Sequence, residues 1–309
     1  MGTAIYHEAG KDLGAHVDVH AELAPGIYLN MSREDYDAID AANQSTLKRM
    51  LKASPAHARH DKLFPSEPSD SLILGIAWHT LFLEGTTAYV ERYAIWTGKT
   101  RRGKEWDAFV DEAGDRIILT QAQNTACFLM SESLHENETA SRLFKRESDA
   151  APPETVLIWD EDGTRCKARL DRFITDDAPT IADLKSASST VPQDLERAIA
   201  NFGYDFQGNF YKRGATALGC PGANVVLAFI DTGGGGAYPK PTIVNADDQE
   251  RYPVRVVELD DKALDRGGQL VDAALDLWRM CKKSGKWESY PDRIESISVP
   301  HWAISEMER

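Results

Sequence analysis

Two acidic residues and a lysine stand near the ends of neighbouring apolar segments. Asp171 lies in the alternating segment 166–174, and Asp183 and Lys185 follow in the short apolar segment 180–185. If the two segments pair as a hairpin, the carboxylates meet at one position on a sheet, and Lys185 lies on the same side as Asp183. Two adjacent carboxylates repel each other unless a cation neutralises them. Their oxygens suit Mg²⁺ or Mn²⁺.

This combination is suited to phosphodiester hydrolysis. Beside a divalent ion, the Lys185 ammonium can orient an attacking water or stabilise negative charge on a phosphorane-like transition state. An acid-x-lysine tripeptide also occurs by chance, however, and a solvated ion pair at a strand end explains it equally well. The spacing by itself therefore leaves both interpretations open.

Two further patterns lie on predicted helices. Residues 75–84 read G-x-x-x-H-x-x-x-L-E, with His79 at their centre, and residues 207–211 read Q-x-x-x-Y. The spacing of four residues puts Gln207 and Tyr211 on one helix face. Along the chain the order is a helix with a histidine, a strand with an acid, a strand with acid-x-lysine, and a helix with the glutamine and the tyrosine.

This ordered set resembles the RecE (exonuclease VIII) branch of the PD-(D/E)xK nuclease superfamily, a relative of lambda exonuclease. The segments NQSTLK (43–48) and SPAH (54–57) resemble the family's opening helix. The segments WESYP (287–291) and PHWA (300–303) resemble its tail. The resemblance extends over residues 28–304.

The resemblance implies an α/β fold, a PD-(D/E)xK nuclease core with a mixed central sheet flanked by helices and a helical N-terminal part. It also implies a role for each residue of the motifs. Lys185 is the expected catalytic lysine, and Gln207 and Tyr211 are expected to act at the DNA end or the scissile phosphate. The expected metal ligands are His79, Asp171, Asp183, the backbone carbonyl of Leu184 and, as a second-metal or supporting residue, Glu84.

The activity implied by the resemblance is a Mg²⁺-dependent 5′-to-3′ exodeoxyribonuclease, with Mn²⁺ as the alternative ion. Such an enzyme degrades linear double-stranded DNA to mononucleotides and leaves 3′ single-stranded tails for recombination and repair in a phage or prophage. The implied assembly is a ring-shaped homo-oligomer that threads DNA, and the expected partner is a RecT-like single-strand annealing protein.

A basic segment, residues 97–104, is the preferred candidate for contact with the DNA backbone. It contains Lys99, Arg101, Arg102 and Lys104. Cations at this density neutralise phosphates, although an ordinary solvated loop has the same composition.

The elements that must position these residues follow from periodicity and turn residues. We expect one domain over residues 1–309, with a loose arm (1–27), a helical N-terminal part (28–145), a catalytic α/β core (150–285) and a C-terminal tail (286–309). The apolar residues of 71–84 predict one continuous helix with Leu72, Ile76, His79 and Leu83 on a stripe. The alternation in 166–174 predicts one strand.

Composition excludes several classes of protein. The net charge of −14 argues against a protein that coats nucleic acid indiscriminately, although a locally basic channel remains compatible with it. The 4 cysteines stand singly, which predicts reduced thiols and neither a zinc nor an iron–sulfur site. No apolar segment reaches the roughly 20 residues needed to cross a bilayer. With no secretory signal evident, we expect a cytoplasmic protein without membrane contact.

Three alternatives stay open at this stage. A nuclease of the same fold could be specific for single strands or for particular DNA structures. A non-catalytic DNA-binding protein could retain the fold, although the complete set of Asp171, Asp183, Lys185 and His79 speaks against that. A non-haem iron enzyme would need a second histidine placed for a facial triad, and none is evident.

Overall fold

The computed structural model describes residues 6–8, 23–144, 152–176 and 178–299. It confirms the expected mixed α/β class. The strands in these residues are β1 Tyr6–Glu8, β2 Gly26–Leu29, β3 Tyr93–Trp96, β4 Ile117–Thr120, β5 Thr155–Glu161, β6 Thr164–Leu170, β7 Arg172–Ile174, β8 Thr180–Ala187, β9 Asn224–Asp231, β10 Ile243–Val244, β11 Glu250–Arg251 and β12 Val254–Glu258.

The helices are capped where the sequence offers capping residues. Ser32, Ser54 and Asp260 each accept a hydrogen bond from a backbone N–H in the first turn of their helix. The helices are α1 Arg33–Ala38, α2 Gln44–Lys52, α3 Pro55–Leu63, α4 Asp70–His79, a π-helical segment Thr80–Glu84, α5 Thr86–Arg92, α6 Lys104–Ala113, α7 Gln121–Glu136, α8 Glu138–Phe144, α9 Pro192–Phe202, α10 Tyr204–Ala217 and α11 Asp261–Ser284.

Two four-stranded sheets form the framework. The first has the order β1-β2-β5-β6 and the second the order β12-β9-β8-β7. In the second sheet β8 and β9 run parallel, whereas the pairs β7–β8 and β9–β12 are antiparallel. The second sheet is therefore mixed, as predicted, and its parallel pair is connected by α9 and α10 as a crossover.

The second sheet is covered by helices on both faces. Ile181 packs into a core with Phe206 and Phe210 of α10. On the opposite face Ala182 and Leu184 pack into a core that includes Trp78 of α4. Because side chains alternate along a strand, the odd-numbered residues of β8 face α10 and the even-numbered residues face α4 and α7.

The predicted single strand 166–174 is wrong, because the chain breaks it at Asp171. Residues before the break form β6, which pairs with β5 in the first sheet, and residues after it form β7, which pairs with β8 in the second. Asp171 thus lies where the chain passes from one sheet to the other. Alternation continues across the break, so it could not reveal the change of partner strand.

The described part of residues 1–27, which we predicted as a loose arm, contains the strand β1 and the start of β2. β1 pairs in parallel with β2, and β2 pairs with β5 of the catalytic core. Strands of three and four residues are too short to show periodicity in the sequence. The predicted division into parts remains untested. In the tail, Trp287 packs against Trp278 of α11 with ring centroids 5.5 Å apart, and the motif at 300–303 lies outside the described residues.

The predicted continuous helix over 71–84 changes character after His79. In the π-helical segment the Gly85 N–H bonds to the carbonyl of Thr80, five residues back, which rotates the helix face relative to an α-helix. The predicted apolar stripe is accordingly split. Leu83 is buried, whereas Leu72 and Ile76 are 53% and 47% exposed. In the described ranges, no helix combines the length and apolarity required to span a membrane.

Lys167 joins the first sheet to α1. It is 2% exposed, and its Nζ donates to the carbonyls of Tyr36, Asp37 and Ile39 at 2.5, 3.3 and 2.9 Å. The ammonium also lies 4.4 Å from the centroid of the Tyr36 ring. A lysine thereby satisfies the carbonyls at the C-terminal end of a short helix.

We expect Lys167→Met to lower the free energy of unfolding by about 2 kcal/mol, because it leaves buried carbonyls without a donor. Chemical denaturation of the full chain measures the change, and Lys283→Met, at an exposed lysine, is the control. Equal stability of the two variants would show that Lys167 does not anchor α1.

Candidate active site

A cleft of about 370 Å³ opens between α4 and the adjoining ends of β7 and β8. Catalytic candidates lie at its base and arginines lie around it. Its lining includes Arg33, Leu72, Ile76, His79, Glu84, Arg92, Glu154, Arg169, Asp171, Leu184, Lys185 and Tyr204.

The two acids of the sequence motif meet as the hairpin prediction requires. β7 pairs with β8 through Arg172 opposite Ala182, and the next step of this register puts Asp171 opposite Asp183. The Leu184 N–H donates to Asp171 Oδ2 at 2.7 Å, which orients the carboxylate. Asp183 is 4% exposed. Two carboxylates are therefore held together in a largely buried position.

Lys185 neutralises part of this charge. Its Nζ forms an ion pair with Asp183 Oδ2, and it lies 5.1 Å from the centroid of the Tyr204 ring. Burial acts to lower the pKa of Lys185, but the charges of Asp183 and Asp171 outweigh burial and raise that pKa above its ordinary value. The lysine is consequently an ammonium held between an acid and an aromatic face.

The environment of Asp171 has an excess of negative charge. Burial raises the pKa of Asp171 well above its ordinary value, and the nearby charges of Asp183 and Glu154 raise it further. The ammonium of Lys185 and the Leu184 N–H oppose these effects and do not cancel them. An additional cation at this position would relieve the repulsion.

His79 places a neutral imidazole beside the Asp171 carboxylate. Its Nδ1 lies 3.8 Å from Asp171 Oδ2, and its ring packs edge-on against Trp78 with centroids 4.4 Å apart. Burial, with a smaller effect from the charge of Lys185, lowers the pKa of His79 to about 3. A neutral imidazole has the lone pair that a metal ligand needs.

The donor set suits a divalent cation. Two ligands of an octahedral Mg²⁺ ion at about 2.1 Å lie about 3.0 Å apart when adjacent and about 4.2 Å apart when opposite. The distance of 3.8 Å between His79 Nδ1 and Asp171 Oδ2 lies between these two values, so a small side-chain adjustment would accompany binding. Among the described residues, no three His, Cys, Asp or Glu side chains already converge as a complete metal-binding group. The candidate ligands are instead paired separately, His79 with Asp171 and Asp183 with the ammonium of Lys185. The Leu184 carbonyl as a ligand stays a prediction.

Glu84 lines the cleft but is engaged by an arginine. Its two carboxylate oxygens accept hydrogen bonds from the guanidinium of Arg92, each at 2.6 Å. A bidentate pair of this kind fixes both side chains. Its role as a metal ligand stays a prediction, and the observed contact is a support for Arg92.

Gln207 and Tyr211 lie behind the acids and not on the cleft surface. The Gln207 amide donates to Asp183 Oδ1 at 3.1 Å and to the Tyr211 hydroxyl at 3.0 Å. The Tyr211 hydroxyl in turn donates to the Arg169 carbonyl at 3.2 Å. The shared helix face is as predicted, but both side chains are buried, so the structure places them as supports of Asp183. Their contact with DNA stays a prediction.

The basic segment lies apart from the cleft. Lys99, Arg101, Arg102 and Lys104 are exposed, and none of them lines the cleft. The strand β3 connects this segment to Arg92, and four strand residues span about 13 Å. The segment is thus a neighbour of the site and not a part of it.

Several residues of the site were not predicted from the sequence. Glu154 has a positive φ of 60°, pairs with Arg169, and donates its N–H to the Asp171 carbonyl at 3.2 Å. Arg169 stands two residues before Asp171, a spacing that places both on one side of a strand and could have indicated it. Arg33, Arg92 and Tyr204 come from distant elements, and no local pattern marks them.

We expect Asp171→Asn to raise the free energy of unfolding at neutral pH in a chelator. The pKa of Asp171 is raised on folding, so ionisation of this carboxyl destabilises the folded state at high pH. This cost decreases as pH falls from the raised pKa towards the ordinary carboxyl value and is absent below it. The gain of the variant should therefore shrink towards acidic pH, as measured by chemical denaturation. A gain that is independent of pH, or a loss at neutral pH, would contradict the raised pKa.

A solved structure shares the overall fold of this chain. No curated protein sequence matches the chain. The crystal structure of a candidate exonuclease from Eubacterium rectale superposes with a TM-score of 0.55 at 11% identity, covering 90% of this chain and 98% of that chain, which shows the fold alone. A phage-related exonuclease from Haemophilus somnus 129PT gives a TM-score of only 0.32 at 12% identity, covering 80% of this chain and 96% of that chain.

A family model matches most of the chain. Residues 43–300 match the model of the family described as a PDDEXK-like domain of unknown function (DUF3799). The matched range includes α4 and all the strands and helices that contribute to the base of the cleft. The chain therefore belongs to this family, within the PD-(D/E)xK nuclease superfamily.

Proposed function

We propose that this protein is a Mg²⁺-dependent 5′-to-3′ exodeoxyribonuclease that degrades linear double-stranded DNA and leaves 3′ single-stranded tails. One observation carries the hydrolytic part of the proposal. His79, Asp171 and Lys185, from three separate segments of the chain, line one cleft, and Asp183 lies buried beside them in an ion pair with Lys185.

The residues around the cleft supply what phosphodiester hydrolysis requires. Asp171, Asp183, His79 and the Leu184 carbonyl would hold the divalent ion, with Mn²⁺ as an alternative. When bound, such an ion activates water for attack and polarises the phosphate. The Lys185 ammonium, fixed by Asp183 and by the Tyr204 ring, stabilises negative charge that develops on the phosphoryl oxygens.

The surrounding side chains position the substrate and the catalytic groups. Arg33, Arg92 and Arg169 line the cleft, where guanidinium groups bind phosphates on either side of the scissile bond. Gln207 fixes Asp183 by a hydrogen bond, so that its carboxylate does not have to reorganise during the reaction.

Family resemblance supports the remaining parts of the proposal. It is the ground for the polarity, for mononucleotide products, for a ring-shaped homo-oligomer and for a RecT-like single-strand annealing partner. The structure of the Eubacterium rectale protein, described as that of a candidate exonuclease, is consistent with digestion from ends. A ring would also reconcile the net charge of −14 with DNA binding, since cations can face a channel while acids face outward.

We expect Lys185→Ala and Asp183→Asn to lower the rate of duplex digestion by about 10²–10³-fold, the usual cost of removing one such electrostatic group. Release of nucleotides from linear duplex in Mg²⁺ measures the rate. Lys283→Ala, at an exposed lysine away from the cleft, is the matched control. Near-normal rates in either variant, with folding verified by denaturation, would refute the site.

A time course on duplex labelled at the 5′ or the 3′ end tests the polarity and the substrate. The proposal expects early release of the 5′ label, no activity in a chelator, and survival of covalently closed circular duplex. Preferred cleavage of single strands would favour the alternative nuclease of the same fold. Binding without cleavage in Mg²⁺ and Mn²⁺ would favour a non-catalytic DNA-binding protein.

A further inference from the structure

Three aromatic rings form a small cluster under the basic segment. Trp96 lies at the end of β3, and Trp106 and Phe109 lie on α6. The Trp96 ring centroid is 5.3 Å from that of Trp106 and 5.1 Å from that of Phe109. All three side chains are half-buried, and none belongs to the three hydrophobic cores found in the described residues.

One cation of the segment lies over a ring of this cluster. The guanidinium carbon of Arg101 lies 5.8 Å from the centroid of the Trp106 ring, although Arg101 itself is exposed. A guanidinium over an indole forms a flat, positively charged platform. Such a platform can stack on a further planar group from the solvent side.

The backbone of the segment is held against the same rings. A Cβ atom added at Gly98 would lie 2.1 Å from an atom of the Trp96 ring, so only glycine allows the chain to approach this closely. The loop that carries Lys99, Arg101 and Arg102 is therefore supported by the aromatic cluster.

The charge of the segment is opposite to that of the protein as a whole. Its four exposed cations precede the acids Glu105 and Asp107 in the first turn of α6, in a chain of net charge −14. Acids in a first helical turn complement the positive end of the helix dipole. The local excess of positive charge consequently belongs to the loop, where the flat platform also lies.

We propose that this basic-aromatic surface, Trp96, Trp106 and Phe109 with Lys99, Arg101, Arg102 and Lys104, binds single-stranded DNA. Unpaired bases offer flat faces that stack on Trp106 and Arg101, whereas in a duplex those faces are occupied by neighbouring base pairs. Phosphates of the same strand contact the lysines and Arg102.

The single-stranded DNA expected here is the 3′ tail that digestion leaves unpaired, so the inference rests on the proposed function. β3 connects the surface to Arg92 at the cleft, over about 13 Å of strand. A strand displaced from the cleft can reach the surface within a few nucleotides. Binding there would hold the unpaired 3′ tail away from the cleft while the other strand is degraded.

Fluorescence anisotropy of a short labelled single strand and of the matching blunt duplex tests the inference, with the full chain in a chelator to prevent turnover. We expect tighter binding of the single strand. Arg101→Lys keeps the charge and removes the platform, so it should weaken single-strand binding about fivefold or more and change duplex binding little. Lys99→Ala should reduce the slope of log K against log salt by about 0.7 on the single strand.

Two further variants separate stacking from general effects. Trp106→Phe retains a ring and should bind nearly as well as the wild type, whereas Trp106→Leu should resemble Arg101→Lys, with folding verified by denaturation. Lys283→Ala is the control for loss of one exposed cation. Equal losses on single strand and duplex, an unchanged affinity in Arg101→Lys, or an equal loss in Lys283→Ala would overturn the inference. Because no turnover is measured, absence of hydrolysis would refute the proposed function without affecting this result.

Discussion

Asp171 and Asp183 lie side by side in a largely buried position, and two such carboxylates repel each other unless positive charge is close. The ammonium of Lys185 supplies one such charge and is paired with Asp183. Asp171, with Glu154 also nearby, keeps a raised pKa. The site therefore stores unfavourable electrostatic energy, which a divalent cation would relieve, and this explains why its residues require such extensive support.

Both sheets and the helices on both faces of the second sheet support the site residues. The passage of the chain from one sheet to the other positions Asp171, and the parallel crossover places α10 so that Gln207 reaches Asp183. From the opposite face, the end of α4 brings His79 to Asp171. The π-helical segment follows directly and turns Leu81 and Leu83 into the core and Glu84 towards the cleft. Rigid elements thus fix each group before any substrate arrives.

Local charge, and not total charge, determines what the protein can bind. The chain as a whole is acidic, with a net charge of −14, whereas the cleft is lined by four cations, Arg33, Arg92, Arg169 and Lys185, and three acids, Glu84, Glu154 and Asp171. The bidentate pair with Glu84 holds Arg92 in place. Over distances longer than about 8 Å, salt screens exposed charges. An acidic outer surface therefore does not prevent a phosphate from binding at such a site.

The sequence by itself predicted which residues would meet around the base of the cleft. Alternation along two strands placed Asp171, Asp183 and Lys185 on a common position, and a spacing of four placed Gln207 and Tyr211 on one face, because both depend only on backbone geometry. Only the tertiary structure decided that Asp171 lies between two sheets, that Gln207 is buried, and that Arg33, Glu154 and Tyr204 join the site. These features depend on which distant elements pack together, and local periodicity contains no information about a packing partner.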